Sequence, residues 1–246
     1  DAVALRGDCK YKLKQIMISV DTVYQTVLAL ANKEQRGYIT PQEFNLYADH
    51  AQMAIFEQYF YDLNQFKRVP GNQTSYADMT NLIEDKISIF KKGPTSTSNG
   101  TLLSALPGSS GETFYRCDSV FNVSYDKVVE EIKSADVYKT QYSPLTKATN
   151  TRPVYYKKDG KIYFIPTSGT PQVNWIRKPK KPNWTYIVVN EKPLYDGGGQ
   201  DFELHSSDQT ELVIKILQLA GITIKDYNLT QVAGQEEVKT IQQEKQ

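Results

Sequence analysis

The segment that most constrains the fold is PQEFNLYADHAQMAIFEQYFYDLNQF, which begins at Pro41. Phe44, Ala48, Ala51, Ile55, Tyr59 and Leu63 recur at helical spacing and form one apolar stripe, while Leu46, Met53, Phe56 and Phe60 form another. A helix with two apolar stripes has to be covered on two sides. The cover is either a core that wraps the helix within one copy or a neighbouring copy that shares it, and the sequence leaves both open. Apolar residues nearly encircle the stretch AIFEQYFYDL, so Phe56, Tyr59, Phe60 and Tyr61 are the candidates for packing between subunits.

The stretch leading into this helix, NKEQRGYITPQEFN, has the outline of a calcium loop. With Gly37 at the sixth position, Asn32, Glu34, Arg36, Thr40 and Glu43 fall on ligand positions. Arg36 would aim a guanidinium at a divalent cation, and Asn32 stands where a carboxylate normally opens the site. The same residues spell a helix stop at Gly37 and a new start: Thr40 as cap, Pro41 in the first turn and Glu43 closing a capping box. No bound metal is expected.

The chain's 246 residues fit one elaborate domain or two small ones. Its 29 basic and 28 acidic side chains give a formal charge of +1, which offers no global attraction to nucleic acid or to an anionic membrane, so any such contact is local. The local candidate is WIRKPKKPNW, where Arg177, Lys178, Lys180 and Lys181 lie between two tryptophans. It is either a loop that touches phosphates or a partner, or a solvated connection whose lysines protect a sheet edge. Cys9 and Cys117 are too few for a disulfide scaffold and match no zinc spacing with His50 and His205. No stretch approaches the roughly twenty apolar residues of a membrane span, and the start lacks a signal peptide's apolar core, so a soluble protein is expected.

The expected class is α+β: an N-terminal helical bundle, an antiparallel sheet with hairpins, and C-terminal helices. Residues 1–16 precede the patterned sequence and read as a leader or appended segment. In 17–92, a helix starts at Ser19 or Asp21 and runs to Gln35. The helix from Pro41 follows, and a third spans Tyr76 to Phe90 with Met79, Leu82, Ile83, Ile87 and Phe90 inward. Residues 93–111 are rich in Gly, Ser, Thr and Pro and read as a flexible loop. Residues 112–200 carry strand signals: ETFYRCDSVFNV, KVVEEI, the hairpin RPVYYKKDGKIYFIPT turning at Asp159–Gly160, and QVNWIRKP and TYIVVN extending the same antiparallel sheet. SADVYKTQYSPLTKATN reads as a short helix and an irregular crossing. Residues 201–246 give a strand, a helix capped at Ser207 or Asp208 that stops at Gly221, and a docking tail.

Recognisable catalytic chemistry is sparse. No phosphate-binding glycine loop, nucleophile elbow, HExxH or kinase signature occurs. Gly197–Gly199 lead into a strand rather than a helix, so they read as a turn. Glu130 and Glu131 are adjacent in an expected strand and face opposite sides.

MISVDTVYQTVLALANKEQRGYITPQEFNLYADHAQMAIFEQYFYDLNQF resembles the opening of structural proteins from tailed bacteriophages, especially crAss-like and marine short-tailed phages. The resemblance continues through SPLTKATNTRPVYYKKDGKIYFIPTSG, WIRKPKKPNW, DFELHSSDQTELVIKILQLAGITIKD and QVAGQEEVKTIQQEKQ, and leaves out residues 1–16. It implies a virion protein without catalytic residues or cofactors: a ring or adaptor of the neck that joins the portal to the tail, commonly twelvefold, assembled in the host cytoplasm. On that reading Phe56, Tyr59, Phe60 and Tyr61 pack laterally. The 93–111 loop and the tail after Asp226 reach adjoining portal and tail proteins, and Arg177, Lys178, Lys180 and Lys181 touch a partner or passing DNA. The alternatives are a virion-associated hydrolase, another virion component outside the neck and a calcium-regulated module.

Overall fold

The computed structural model describes residues 17–33, 39–68, 74–106 and 111–223. The expected leader at 1–16, the turn around Gly37 and the tail after Asp226 lie outside the described residues. The class is α+β. The chain divides into two compact units, one made of Asp1–Ile87 with Pro179–Gln246 and the other of Ser88–Lys178. The β-rich stretch expected over 112–200 is therefore split at Pro179, and its last strands belong with the helices.

The first unit is built on α1 (Val20–Lys33), α2 (Pro41–Arg68), α3 (Thr74–Ser88) and α5 (Gln209–Thr223), the short α4 (Val137–Tyr142) belonging to the other unit. Ser19 starts α1, its carbonyl accepting from Val23 N at 3.2 Å, and Asp201 Oδ1 takes the Val20 N–H at 3.0 Å. The capping box of α2 forms as read: Thr40 N donates to Glu43 Oε2 at 3.0 Å and Glu43 N to Thr40 Oγ1 at 3.3 Å. Those bonds from Thr40 hold the Glu43 carboxyl below the usual range. Helix α5 packs on α1 and α2 and buries Leu212, Val213, Ile216, Leu217 and Ala220. Its expected stop at Gly221 is absent, because the helix continues to Thr223. In α3, Ile87 is buried but Leu82 is 58% exposed, so the inward face is narrower than the apolar pattern proposed, and Phe90 lies beyond the helix end. Strand β1 (Met17–Ile18) pairs antiparallel with β12 (Phe202–His205).

The second unit stacks two four-stranded sheets over one core. One sheet has the order β2 (Lys91–Ser96), β9 (Pro171–Arg177), β4 (Phe114–Asn122), β5 (Lys127–Val128); the other runs β3 (Thr101–Leu102), β8 (Lys161–Ile165), β7 (Val154–Lys158), β6 (Glu130–Glu131). Cys117, Val120, Val173 and Trp175 from the first sheet meet Tyr155, Ile162 and Phe164 from the second. The hairpin between β7 and β8 turns at Asp159 and Gly160, both at positive φ (52° and 68°), as the sequence indicates.

Three expectations fail here for one physical reason, that strand partners are chosen over long range. KVVEEI is not one strand: β5 joins β4 while β6 joins β7 in parallel, with buried Val129 at the crossing. Strand β9 lies in the sheet opposite the hairpin rather than extending it. The expected loop at 93–111 begins and continues as β2, β3 and a 3-10 turn at Leu103–Ala105. These strands sit at sheet edges, where backbone bonds suffice, and polar side chains complete them. Asn99 Oδ1 accepts from Phe164 N at 2.8 Å and Thr95 Oγ1 from Trp175 Nε1 at 3.1 Å.

Gly93 allows β2 to lie against β9. Its φ is +129°, and an added Cβ would stand 2.6 Å from Asn174 Oδ1 and 3.0 Å from Asn174 Cα and the Val173 carbonyl. Gly93→Ala is expected to destabilise the β unit by about 3 kcal/mol, combining backbone strain with a clash against main chain. A urea midpoint within experimental error of the wild type would contradict the placement of this edge strand.

Candidate assembly surfaces

The candidate interface residues on α2 separate when placed in the fold. Phe56 is fully buried and Tyr59 is 5% exposed, so both belong to the core of one copy and are corrected as lateral contacts. Phe60 is half-buried, its ring edge-on to Phe56 at 5.1 Å, and Tyr61 is 55% exposed. The stripe Phe44, Ala48, Ala51, Ile55 and Tyr59 is covered by its own chain, whereas Leu46 of the second stripe is 57% exposed.

Tyr59 instead serves a buried polar junction. Its hydroxyl donates to Asp208 Oδ2, Lys86 Nζ approaches Asp208 Oδ1 at 2.7 Å, and the Ser207 hydroxyl donates to Asp208 Oδ1 at 3.1 Å. One carboxylate thus ties α2 and α3 to the start of α5. Burial, and then the Asp208 charge, push the Tyr59 hydroxyl far above the ordinary tyrosine range. His205 Nδ1 lies 2.9 Å from Ser207 Oγ and also accepts the Ser207 N–H at 3.2 Å. That backbone donor makes His205 a cap for the 3-10 turn Ser206–Asp208 ahead of α5.

Tyr155 is the counterpart in the β unit: burial and its bond to Glu131 at 2.8 Å raise its hydroxyl strongly. Burial works against the Glu131 charge, but bonds from Lys157 and Tyr155 outweigh it and hold the carboxyl below its usual range. Both tyrosines ionise more easily unfolded than folded. The stability tied to their neutral forms is therefore complete below about pH 10, the unfolded value, and is lost as pH rises beyond it. Urea midpoints are expected to fall as pH rises from about 10 to 12, and Tyr155→Phe to remove part of that fall. An unchanged slope in Tyr155→Phe would contradict this assignment.

The basic run is also divided. Arg177 is 6% exposed; its guanidinium lies 5.5 Å over the Phe90 ring with Nε 3.7 Å from Glu112 Oε1, so it is corrected from a surface contact to a core group. Lys178 is exposed at the end of the same unit. Lys180 and Lys181 belong to the other unit and are exposed, with Lys181 Nζ 3.4 Å from Asp49 Oδ2. The main chain of Lys180 is gripped: Glu203 Oε2 accepts its N–H at 2.7 Å, and Gln52 Nε2 donates to its carbonyl at 2.8 Å. Trp175 and Trp184 are each buried, in different units.

One exposed apolar feature of the helical unit, among the described residues, escaped sequence reading. Strands β10 (Tyr186–Val189) and β11 (Lys192–Tyr195) form a two-stranded ribbon in register, Tyr186 opposite Tyr195 and Ile187 opposite Leu194. Trp184 anchors its root. The indole N–H reaches Asp21 Oδ1 at 2.9 Å, Trp184 N donates to Asn45 Oδ1 at 2.8 Å, and Tyr24, Tyr186 and Tyr195 pack on the ring at 4.3, 5.7 and 5.8 Å. Gly199 permits the neighbouring approach, since a Cβ there would stand 2.5 Å from the Asn183 carbonyl. Beyond the root, Ile187, Val188, Val189 and Leu194 are 54%, 67%, 42% and 51% exposed. By strand alternation Ile187 and Val189 face one side and Val188 the other. An isolated two-stranded ribbon is marginal in water, and contiguous exposed apolar side chains mark association surfaces.

Charge is divided between the units as well. Ser88–Lys178 holds thirteen Lys and Arg against seven Asp and Glu, a formal +6, so the rest of the chain carries −5 within the total of +1. Among the described residues no group of His, Cys, Asp and Glu is placed to hold a metal ion, and no helix is long and apolar enough to cross a membrane. Comparison with protein-family models and with curated proteins finds no match.

Proposed function

We propose that the protein is a non-enzymatic structural subunit of a tailed-bacteriophage particle, assembling with copies of itself into a ring at the neck between portal and tail. The observation that carries the assembly part is the β10–β11 ribbon, apolar on both sides beyond its anchored root. The occupant of that surface is a second copy. Each copy carries a unit of −5 and a unit of +6, so the unlike units of neighbouring copies attract, which favours head-to-tail rather than self-facing contact. Repeated head-to-tail contacts close into rings when the rotation permits. The placement in the neck, and the twelvefold count common to such rings, rest on the resemblance to phage structural proteins. Native mass spectrometry of the full chain at low ionic strength tests the assembly: one closed stoichiometry, dissociating as salt rises, is expected. A monomer at every concentration and salt level would count against it.

A further inference from the structure

We infer that the outward face of the β7–β8 hairpin binds single-stranded nucleic acid, with Tyr156 and Tyr163 as the base-stacking platform and Lys158 and Lys161 as the phosphate contacts. The register sets Tyr156 opposite Tyr163 and Lys158 opposite Lys161, so all four share the face turned away from the Tyr155, Ile162 and Phe164 core. The tyrosine rings stack on one another, 5.2 Å between centroids and 14° from parallel, although both are only half-buried. Gly100 lies beside Tyr163 and leaves its flank without a side chain.

The lysine pair has no internal use. Like charges directly opposite in a sheet destabilise it. Lys157 is neutralised by Glu131 at 2.8 Å on the other face, but neither Lys158 nor Lys161 has an ion-pair partner among the described residues. The only acidic side chain of the hairpin is Asp159, in the turn itself. The lysines stand two residue pairs along the ladder from the tyrosines, the next pair on the same face, about 7 Å by strand rise, which is the reach from a base to its own phosphate. The excess of +6 on this unit supplies the field for a polyanion, and the stacked rings supply what a plain polyanion patch does not need. Nucleotide stacking on aromatic rings tolerates any sequence, so no base preference is expected.

The inference concerns each chain by itself and does not depend on ring formation. The test is fluorescence anisotropy with the full chain and labelled dT16, rU16 and a 16-base-pair duplex, at several salt concentrations. Saturable binding of dT16 or rU16, tighter than that of the duplex, is expected. Lys158→Gln with Lys161→Gln should weaken it about tenfold at low salt and reduce the log–log salt slope by about 1.4, at roughly 0.7 per phosphate contact. Tyr156→Thr with Tyr163→Thr should weaken it about tenfold and leave the slope unchanged. All variants alter outward side chains, and circular dichroism verifies the fold. No saturable binding by folded wild-type protein, equal or tighter duplex binding, or full affinity in the tyrosine variant would each overturn the inference.

Discussion

Replacing Asp208 by alanine is expected to lower the stability of the helical unit by about 3 kcal/mol, among the largest effects of any single change. Asp208 is 6% exposed and receives Tyr59, Lys86 and Ser207 together. Its removal leaves the Tyr59 hydroxyl buried without its acceptor. Lys86, whose side chain is 26% exposed, can turn toward water, which keeps the cost below that of a fully enclosed broken ion pair. A fall in Tm on the order of 10 °C should result. Asp208→Asn keeps an acceptor for Tyr59 and should cost about half as much. Because Tyr59 and Asp208 act as a unit, Tyr59→Phe combined with Asp208→Ala should cost about 1 kcal/mol less than the sum of the two changes. Additive losses would show that the hydroxyl and the carboxylate are energetically independent.

The second large effect concerns association rather than folding. Ile187→Asp with Leu194→Asp places charges on an opposed pair that is about half exposed in the single chain. The opposed carboxylates weaken the ribbon itself, but the monomer's melting temperature should fall only slightly, because neither side chain contributes a buried core contact. Association should weaken at least a hundredfold: covering the four exposed apolar side chains of the ribbon contributes on the order of 4 kcal/mol, and buried unpaired carboxylates oppose it further. Sedimentation velocity of wild type and variant distinguishes the outcomes. Unchanged association in a folded variant would remove the ribbon from the interface.

The features legible in the sequence are those set by neighbours along the chain. Thr40 and Glu43 form their capping box, Asp159–Gly160 their hairpin turn, and the apolar face of α5 its core contact, because each depends on residues within a few positions. The illegible features depend on distant partners. Ser- and Thr-rich residues at 95–101 take part in edge structure only because β9 and β8 present free backbone to them. Phe56 and Tyr59 looked like surplus apolar surface, yet α2 is long enough to bury them within its own unit while leaving Leu46 and Tyr61 outside. Arg177 and Trp184 read in sequence as parts of one basic aromatic loop, but the chain passes between units at Pro179 and gives them different cores. The ribbon was missed because TYIVVN reads equally well as a strand of a large sheet, and nothing local states that its only partner strand among the described residues is β11.

The proposed ring is decided by electron cryo-microscopy of intact particles of the proposed phage. A closed ring of this chain between portal and tail is expected, with Ile187, Val188, Val189 and Leu194 of each copy covered by the next. A particle in which this ribbon faces solvent, or in which the chain occurs as isolated copies, would contradict it.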